Sequence, residues 1–263
     1  MSRLEIRDGR PTDYQEYVRL FAELGIDDSP VSDAKFAVEM APSSAFAERD
    51  GKVVGFTFWR SLADTMHLAH IVSAPEARRT GAGRALLLDA LARARTHGLA
   101  AVSLNVAQAN VPARTLYESA GFRTISQSRA LRLEWAKLGP PPEHPSPSEV
   151  RVLEPSDDAR LERRFELAAG IFAAHRGLPD RHLRYVETGE GAAAAMFDAS
   201  FPGANPLRAT DLAHALALIH ALRPLARHAF INLALEHQLE VCDQLLAIGA
   251  TLRFDMLKMR CVL

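Results

Sequence analysis

The chain has 263 residues, 31 of them Lys or Arg and 32 Asp or Glu, for a formal net charge of −1 at pH 7. That balance offers no bulk attraction to nucleic acid or to an anionic membrane, and the length suits two domains that each hold a core. The two cysteines, Cys242 and Cys261, stand in no CxxC or metal-ligand spacing, so no metal is expected and free thiols in a reducing compartment are the expectation.

The first eight residues carry charges and no apolar core, and no apolar run approaches membrane-spanning length. A cytoplasmic chain without a secretory leader is expected. Residues 4–7 predict a first strand, and residues 12–24 an amphipathic helix with Tyr17, Leu20, Phe21 and Leu24 along one side. Residues 44–49 and 52–61 read as a hairpin closed by Asp50-Gly51, a strong two-residue turn signal. The segment 26–40 carries Asp27, Asp28, Asp33 and Glu39. Those acids suit the attraction of a cationic amine, and equally a solvated surface.

Residues 67–73 predict a strand and residues 84–97 a helix, with Arg78-Arg79-Thr80-Gly81-Ala82-Gly83 between them. A strand that breaks into a Gly-x-Gly turn and then a helix exposes several backbone N–H groups at one spot. With the positive end of the helix dipole they make a seat for phosphate oxygens. Glycine lets a ligand approach the backbone, and Arg78, Arg79 and Arg84 add positive charge. A pyrophosphate-bearing cofactor fits, although the turn alone is equally compatible with a structural junction. No Gly-Lys-Ser/Thr follows, which excludes a nucleotide-hydrolase P-loop. The three-glycine dinucleotide fingerprint is missing too, because its first glycine falls on Arg79 or Arg78.

An apolar strand is expected over residues 101–106, followed by Asn110-Val111-Pro112-Ala113-Arg114-Thr115-Leu116-Tyr117-Glu118-Ser119-Ala120-Gly121-Phe122. Asn110 is a good N-cap, Pro112 belongs in a first helical turn, and Gly121 can end the helix in the left-handed conformation. The ordered set of Arg78-x-x-Gly81-x-Gly83, strand, Asn-capped helix with a late Tyr117, and Gly121-Phe122 resembles the GNAT N-acetyltransferases. The resemblance covers residues 1–135.

That resemblance implies acetyl-CoA as cosubstrate. The amides of Arg79, Thr80, Gly81, Ala82, Gly83 and Arg84 would hold its pyrophosphate after Arg78. Ile71, Val72 and Ser73 would lie beside the pantetheine arm, and Asn110, Arg114 and Tyr117 would face the coenzyme from the second motif. A backbone N–H near Val72 would polarise the thioester carbonyl. Tyr117 is the expected acid for the departing thiolate, since a phenol with pKa of about 10 lies near a thiol in acidity. Outside the motif set it would read as a packing residue. His67, on the strand feeding the loop, is the first choice of base, acting through a water. Some family members carry a Glu there, so the His departs from that pattern; Glu48, Asp64 and His70 are alternatives, and a structural histidine is as compatible. Residues three apart on a strand face opposite ways, so His67 and His70 are not expected to pair on a metal.

Residues 136–148 hold five prolines and no apolar period, the pattern of a stiff exposed linker. Beyond them the order of elements repeats: a strand at 149–153, a long helix at 157–175, a strand at 193–201, a helix at 210–222, a strand at 229–235, a helix ending at Gly249 and a strand at 251–263. Asn105 registers with Asn232 and Gly121 with Gly249, while Tyr117 faces Leu245 and the loop glycines fall on Arg208 and Thr210. No Asp-Gly signal marks a hairpin, which is expected to be missing. The runs 192–197 and 201–206 could line an acceptor pocket but read more simply as core and loop.

The expected fold is α/β (α+β): two GNAT-like domains, each a mixed central sheet flanked by helices, the second degenerate. The expected organisation is a catalytic domain at 1–135, a linker at 136–148 and a degenerate copy at 149–263 that serves as a wall or a homodimer surface. The expected activity is N-acetyl transfer from acetyl-CoA to a small-molecule or exposed protein amine by direct attack. Its rival is a non-catalytic acyl-CoA-sensing or interaction protein on the same scaffold.

Overall fold

A computed structural model describes residues 4–26, 28–62 and 64–263; Asp27 of the acidic segment lies outside the described residues. The chain divides into two compact units. One takes the residues up to Asn105, Val111–Arg123 and Met259–Leu263, the other Val106–Asn110 and Thr124–Lys258.

The first unit opens with β1 (Leu4–Asp8) and α1 (Tyr14–Phe21), the latter flanked by single tight turns at Pro11–Asp13 and Ala22–Leu24 and stopped by Gly25 at φ 68°. Asp13 fixes the entry to α1, accepting two bonds from Arg7 at 2.8 Å and the Arg10 N–H at 2.7 Å. A short α2 (Asp33–Lys35) leads to β2 (Ser44–Arg49), β3 (Lys52–Ser61) and β4 (Thr65–Ser73). Asp50 and Gly51 both take positive φ, as a two-residue hairpin turn requires. Then come α3 (Ala82–Thr96), β5 (Ala101–Ala107) and α4 (Val111–Ser119).

The sheet runs β1-β2-β3-β4-β5, antiparallel until the parallel pair β4–β5, and residues 259–262 of the last strand follow β5 in it. Tyr17, Phe36, Phe46, Phe56, Leu86 and Leu87 are fully buried between the sheet and its helices. Each such side chain contributes about 1.5–3 kcal/mol by leaving water.

The second unit repeats this order with β6 (Arg123–Glu134), β7 (Arg151–Val152), α5 (Asp158–Arg164), α6 (Ile171–His175), β8 (Arg181–Thr188), β9 (Gly191–Asp198), β10 (Gly203–Ala209), α7 (Leu212–Leu222), β11 (Phe230–Glu236), α8 (Leu239–Ala247) and β12 (Thr251–Val262). Its strand order is β12-β6-β11-β10-β9-β8-β7, with β10 and β11 parallel. Residues 136–146 form neither strand nor helix, and Leu138 and Pro145 are buried within this unit.

Three sequence expectations change here. The helix expected over 157–175 is two helices, because Glu166 and Gly170 take φ 51° and 77° and the Glu162 carboxylate accepts the N–H groups of Gly170 and Phe172 at 3.0 and 3.2 Å, capping α6. The hairpin expected to be missing is present as β8–β9, closed at Thr188↔Gly191 with Gly189 at φ 57°. Its turn uses Gly-x rather than Asp-Gly. The stretch expected as a loop from 201 to 206 runs into β10, whereas the run from Ala192 to Phe197 is buried core of β9, as its simpler reading had it.

Candidate active site

Between β4 and α3 the chain makes a tight turn at Pro75–Ala77, then places Arg79 at φ 62° and Gly81 at φ 93°. The Thr80 N–H bonds back to Ala77 at 3.4 Å, and Ala85 is the first residue of the helix to bond back, to the Gly81 carbonyl at 2.9 Å. The N–H groups of Gly81, Ala82, Gly83 and Arg84 have no acceptor among the described residues, nor has that of Arg79. These are the orphan donors of a helix start, at the positive end of its dipole. Arg79 and Arg84 are exposed, whereas Arg78 is engaged with Glu23 at 2.6 Å. Of the three arginines in the basic run, Arg78 is thus the one with a carboxylate partner.

The two glycines serve different needs. A side chain at Gly81 would meet nothing within 4 Å, so its left-handed backbone is the constraint. At Gly83 a Cβ would stand 3.3 Å from Ser73 Oγ and 3.6 Å from Leu116 Cδ2. Loop, β4 and α4 thus converge on Gly83, which brings the two sequence motifs to one place.

Strands β4 and β5 pair only from Thr65↔Ala101 to Leu68↔Leu104. Past that point β4 continues to Ser73, paired with β3 alone, so its edge from Ala69 to Ser73 has no β5 partner. Val72 buries its side chain, while Ile71 and Ser73 are half-buried. An unpaired strand edge presents backbone donors and acceptors to an extended, amide-bearing ligand.

Tyr117 lies near the end of α4, 8% exposed, with its ring 6.0 Å from that of Phe122. Burial pushes its phenol up to about 12, and its hydroxyl has no hydrogen-bond partner among the described residues. It is an uncharged donor throughout the neutral range. Asn110 stands directly ahead of Val111, and Arg114 is half-buried on α4.

His67 is half-buried with Nδ1 at 3.2 Å from Ser103 Oγ. His70 is ringed by Phe21, Phe56 and Phe58 at 5.9, 6.1 and 5.8 Å, and its Nδ1 is buried without a partner. Burial first, then the nearby charge of Arg60 and His67, pushes its imidazole down to about 4. The two histidines do not face opposite ways as the sequence spacing suggests. His67 opposes Arg60 and His70 opposes Phe58, because β4 carries an extra residue at Ala69. That bulge turns both rings to one face. No group of three metal-ligating side chains occurs among the described residues.

The matching region of the second unit is built differently. β10 passes to α7 through Thr210 and Asp211 alone, with Asp211 capping the helix by accepting the His214 N–H at 2.9 Å, so no phosphate-type loop remains. β10 and β11 pair only at Gly203↔Asn232 and Ala204↔Leu233. Where they part, Arg208 bonds Glu236 at 2.7 Å, and Glu236 also takes Ser126 at 2.6 Å and Lys258 at 3.0 Å. Burial alone would raise the Glu236 carboxyl, but Lys258, Ser126 and Arg208 together hold it below its usual range. Neither this network nor Gln238, which reaches Ala209, carries a motif that the sequence could announce.

Residues 9–122 match the model of the Acetyltransferase (GNAT) family. It is 42% identical over 83 residues to the mycothiol acetyltransferase of Thermomonospora curvata, covering 31% of this chain and 28% of that protein. It is 35% identical over 81 residues to the [ribosomal protein bS18]-alanine N-acetyltransferase of Escherichia coli K12, covering 31% of this chain and 55% of that protein. The chain thus spans well under two thirds of either relative. A crystal structure from Pyrococcus horikoshii, provisionally assigned as an acetyltransferase, superposes over 99% of this chain and 89% of its own with TM-score 0.71 and 16% identity, which relates the fold of both units. No described helix is long and apolar enough to cross a membrane.

Proposed function

We propose that the chain transfers the acetyl group of acetyl-CoA to a primary amine, of a small molecule or an exposed protein position, by direct attack in a ternary complex. The observation that carries this reading is the meeting at Gly83 of the open N–H groups of Gly81 to Arg84, the unpaired edge of β4, and α4 with Tyr117. These groups fit acetyl-CoA, which supplies the activated thioester.

The five open amides and the exposed Arg79 and Arg84 take the pyrophosphate. The backbone of Ile71 and Ser73 orients the pantetheine amides, and an N–H near Val72 polarises the thioester carbonyl. Tyr117, kept neutral by burial, donates its proton to the leaving sulfur. His67 takes the amine proton through a water. His70, held at about 4 by its aromatic surroundings, is too weakly basic for that task at neutral pH. Asn110 and Arg114 border the coenzyme from the second motif. The second unit, with its closed strand edge and no phosphate loop, takes no part in the chemistry.

Replacing Tyr117 by Phe tests the reading against a sensor on the same scaffold. Turnover should fall by roughly 10²-fold, the usual share of a general acid, with acetyl-CoA affinity nearly unchanged. Equal losses in turnover and affinity would remove the acid role.

A further inference from the structure

The geometry points to Arg49 as a positioning residue for the coenzyme, one that holds the pyrophosphate loop in shape by gripping Thr80. This inference rests on the acetyl-CoA reading above. Arg49 ends β2, and its guanidinium reaches across to the β4–α3 loop, donating from Nη1 to Thr80 Oγ1 at 3.0 Å and from Nη2 to the Thr80 carbonyl at 3.4 Å. Thr80 Oγ1 in turn donates to the Ala77 carbonyl at 2.8 Å.

The loop needs such a brace. Thr80 lies between Arg79 at φ 62° and Gly81 at φ 93°, and a left-handed non-glycine residue persists only when its surroundings fix it. Those two residues also begin the run of open amides, so any relaxation at Thr80 misaims the donors at the head of α3. Arg49 has no carboxylate partner among the described residues, and its Nε is buried without a hydrogen-bond partner. A half-buried guanidinium spent on one threonine serves the loop rather than an ion pair. Arg78, the arginine that the sequence motif singles out, is instead tied to Glu23. A planar fork holds the hydroxyl and the carbonyl of one residue with two N–H groups fixed in one geometry, where an ammonium offers a compact charge on a flexible stem.

The test compares two acyl donors, acetyl-CoA and acetyl-pantetheine, which lacks the pyrophosphate. Arg49→Ala should raise KM for acetyl-CoA about tenfold with kcat within about twofold, and leave KM for acetyl-pantetheine unchanged. Thr80→Val should do the same, and the double variant should be no worse than Arg49→Ala, because both remove one brace. Arg49→Lys should recover only part of the loss. If Arg49→Ala does not fold, Thr80→Val on the two donors decides. Equal loss with both donors, or additive losses in the double variant, overturns the role. Wild-type protein that binds no coenzyme A overturns the acetyltransferase reading, and this inference with it.

Discussion

The side-chain amide of Gln238 holds both backbone groups of Ala209, accepting its N–H at 3.2 Å and donating to its carbonyl at 2.5 Å. Ala209 ends β10, the counterpart of β4, beyond Ala204↔Leu233, the last pair of β10 with β11. In the first unit the corresponding edge is open from Ala69 to Ser73. A side chain thus satisfies in the second unit a stretch of edge whose counterpart in the first has no β5 partner. Removing Gln238 leaves two backbone groups of a 2% exposed residue unsatisfied. Gln238→Ala should therefore cost about 1–3 kcal/mol in chemical denaturation without creating a coenzyme site. Unchanged stability would mean that the edge is satisfied in another way.

At the loop, Gly83 and Gly81 predict different behaviour. Gly83→Leu drives a side chain toward Ser73 and Leu116 and should weaken acetyl-CoA by about tenfold or more, a loss of ~1.4 kcal/mol in binding, beside an overpacking cost of about 1–3 kcal/mol in stability. Gly81→Ala has room for its methyl but not the backbone, and should lower stability by about 1–2 kcal/mol. Calorimetric titration alongside thermal melts separates the two, and an unchanged affinity in Gly83→Leu would contradict the loop assignment.

Stability should fall at both ends of the pH scale, for separate reasons. His70 in the folded chain titrates at about 4 against an ordinary 6.5, so the unfolded chain binds the extra proton first and stability is lost as pH falls from 6.5 toward 4. Tyr17 and Tyr117 are pushed up to about 12 against 10, chiefly by burial. The unfolded chain then ionises first, and stability is lost as pH rises from 10 to 12. His70→Phe should flatten the acid side of a melting-temperature profile and leave the alkaline side alone. An acid side as steep as that of the wild type would show that His70 does not set it.

What the sequence revealed was what is encoded locally. Asp50-Gly51 and the glycines at 81, 121 and 249 sit at positive φ as turn and helix-end positions demand, and the order of strands and helices followed from them. The helix expected over 157–175 failed because Leu161, Phe165 and Phe172 are buried on both sides of its break, so the apolar pattern runs on through it. The facing of His67 and His70 depended on the bulge at Ala69, which is set by pairing with β3 rather than by β4 itself. Gln238 with Ala209 and Arg49 with Thr80 are contacts between residues about thirty positions apart in no recognisable pattern, and only the fold reveals them.

The central claim is one working coenzyme site in the first unit and a closed counterpart in the second. Isothermal titration of acetyl-CoA into the whole chain, read for stoichiometry, tests it most directly. One site per chain, lost in Gly83→Leu, is the predicted result. Two sites would contradict the closed second unit, and no binding at all would contradict the acetyltransferase reading.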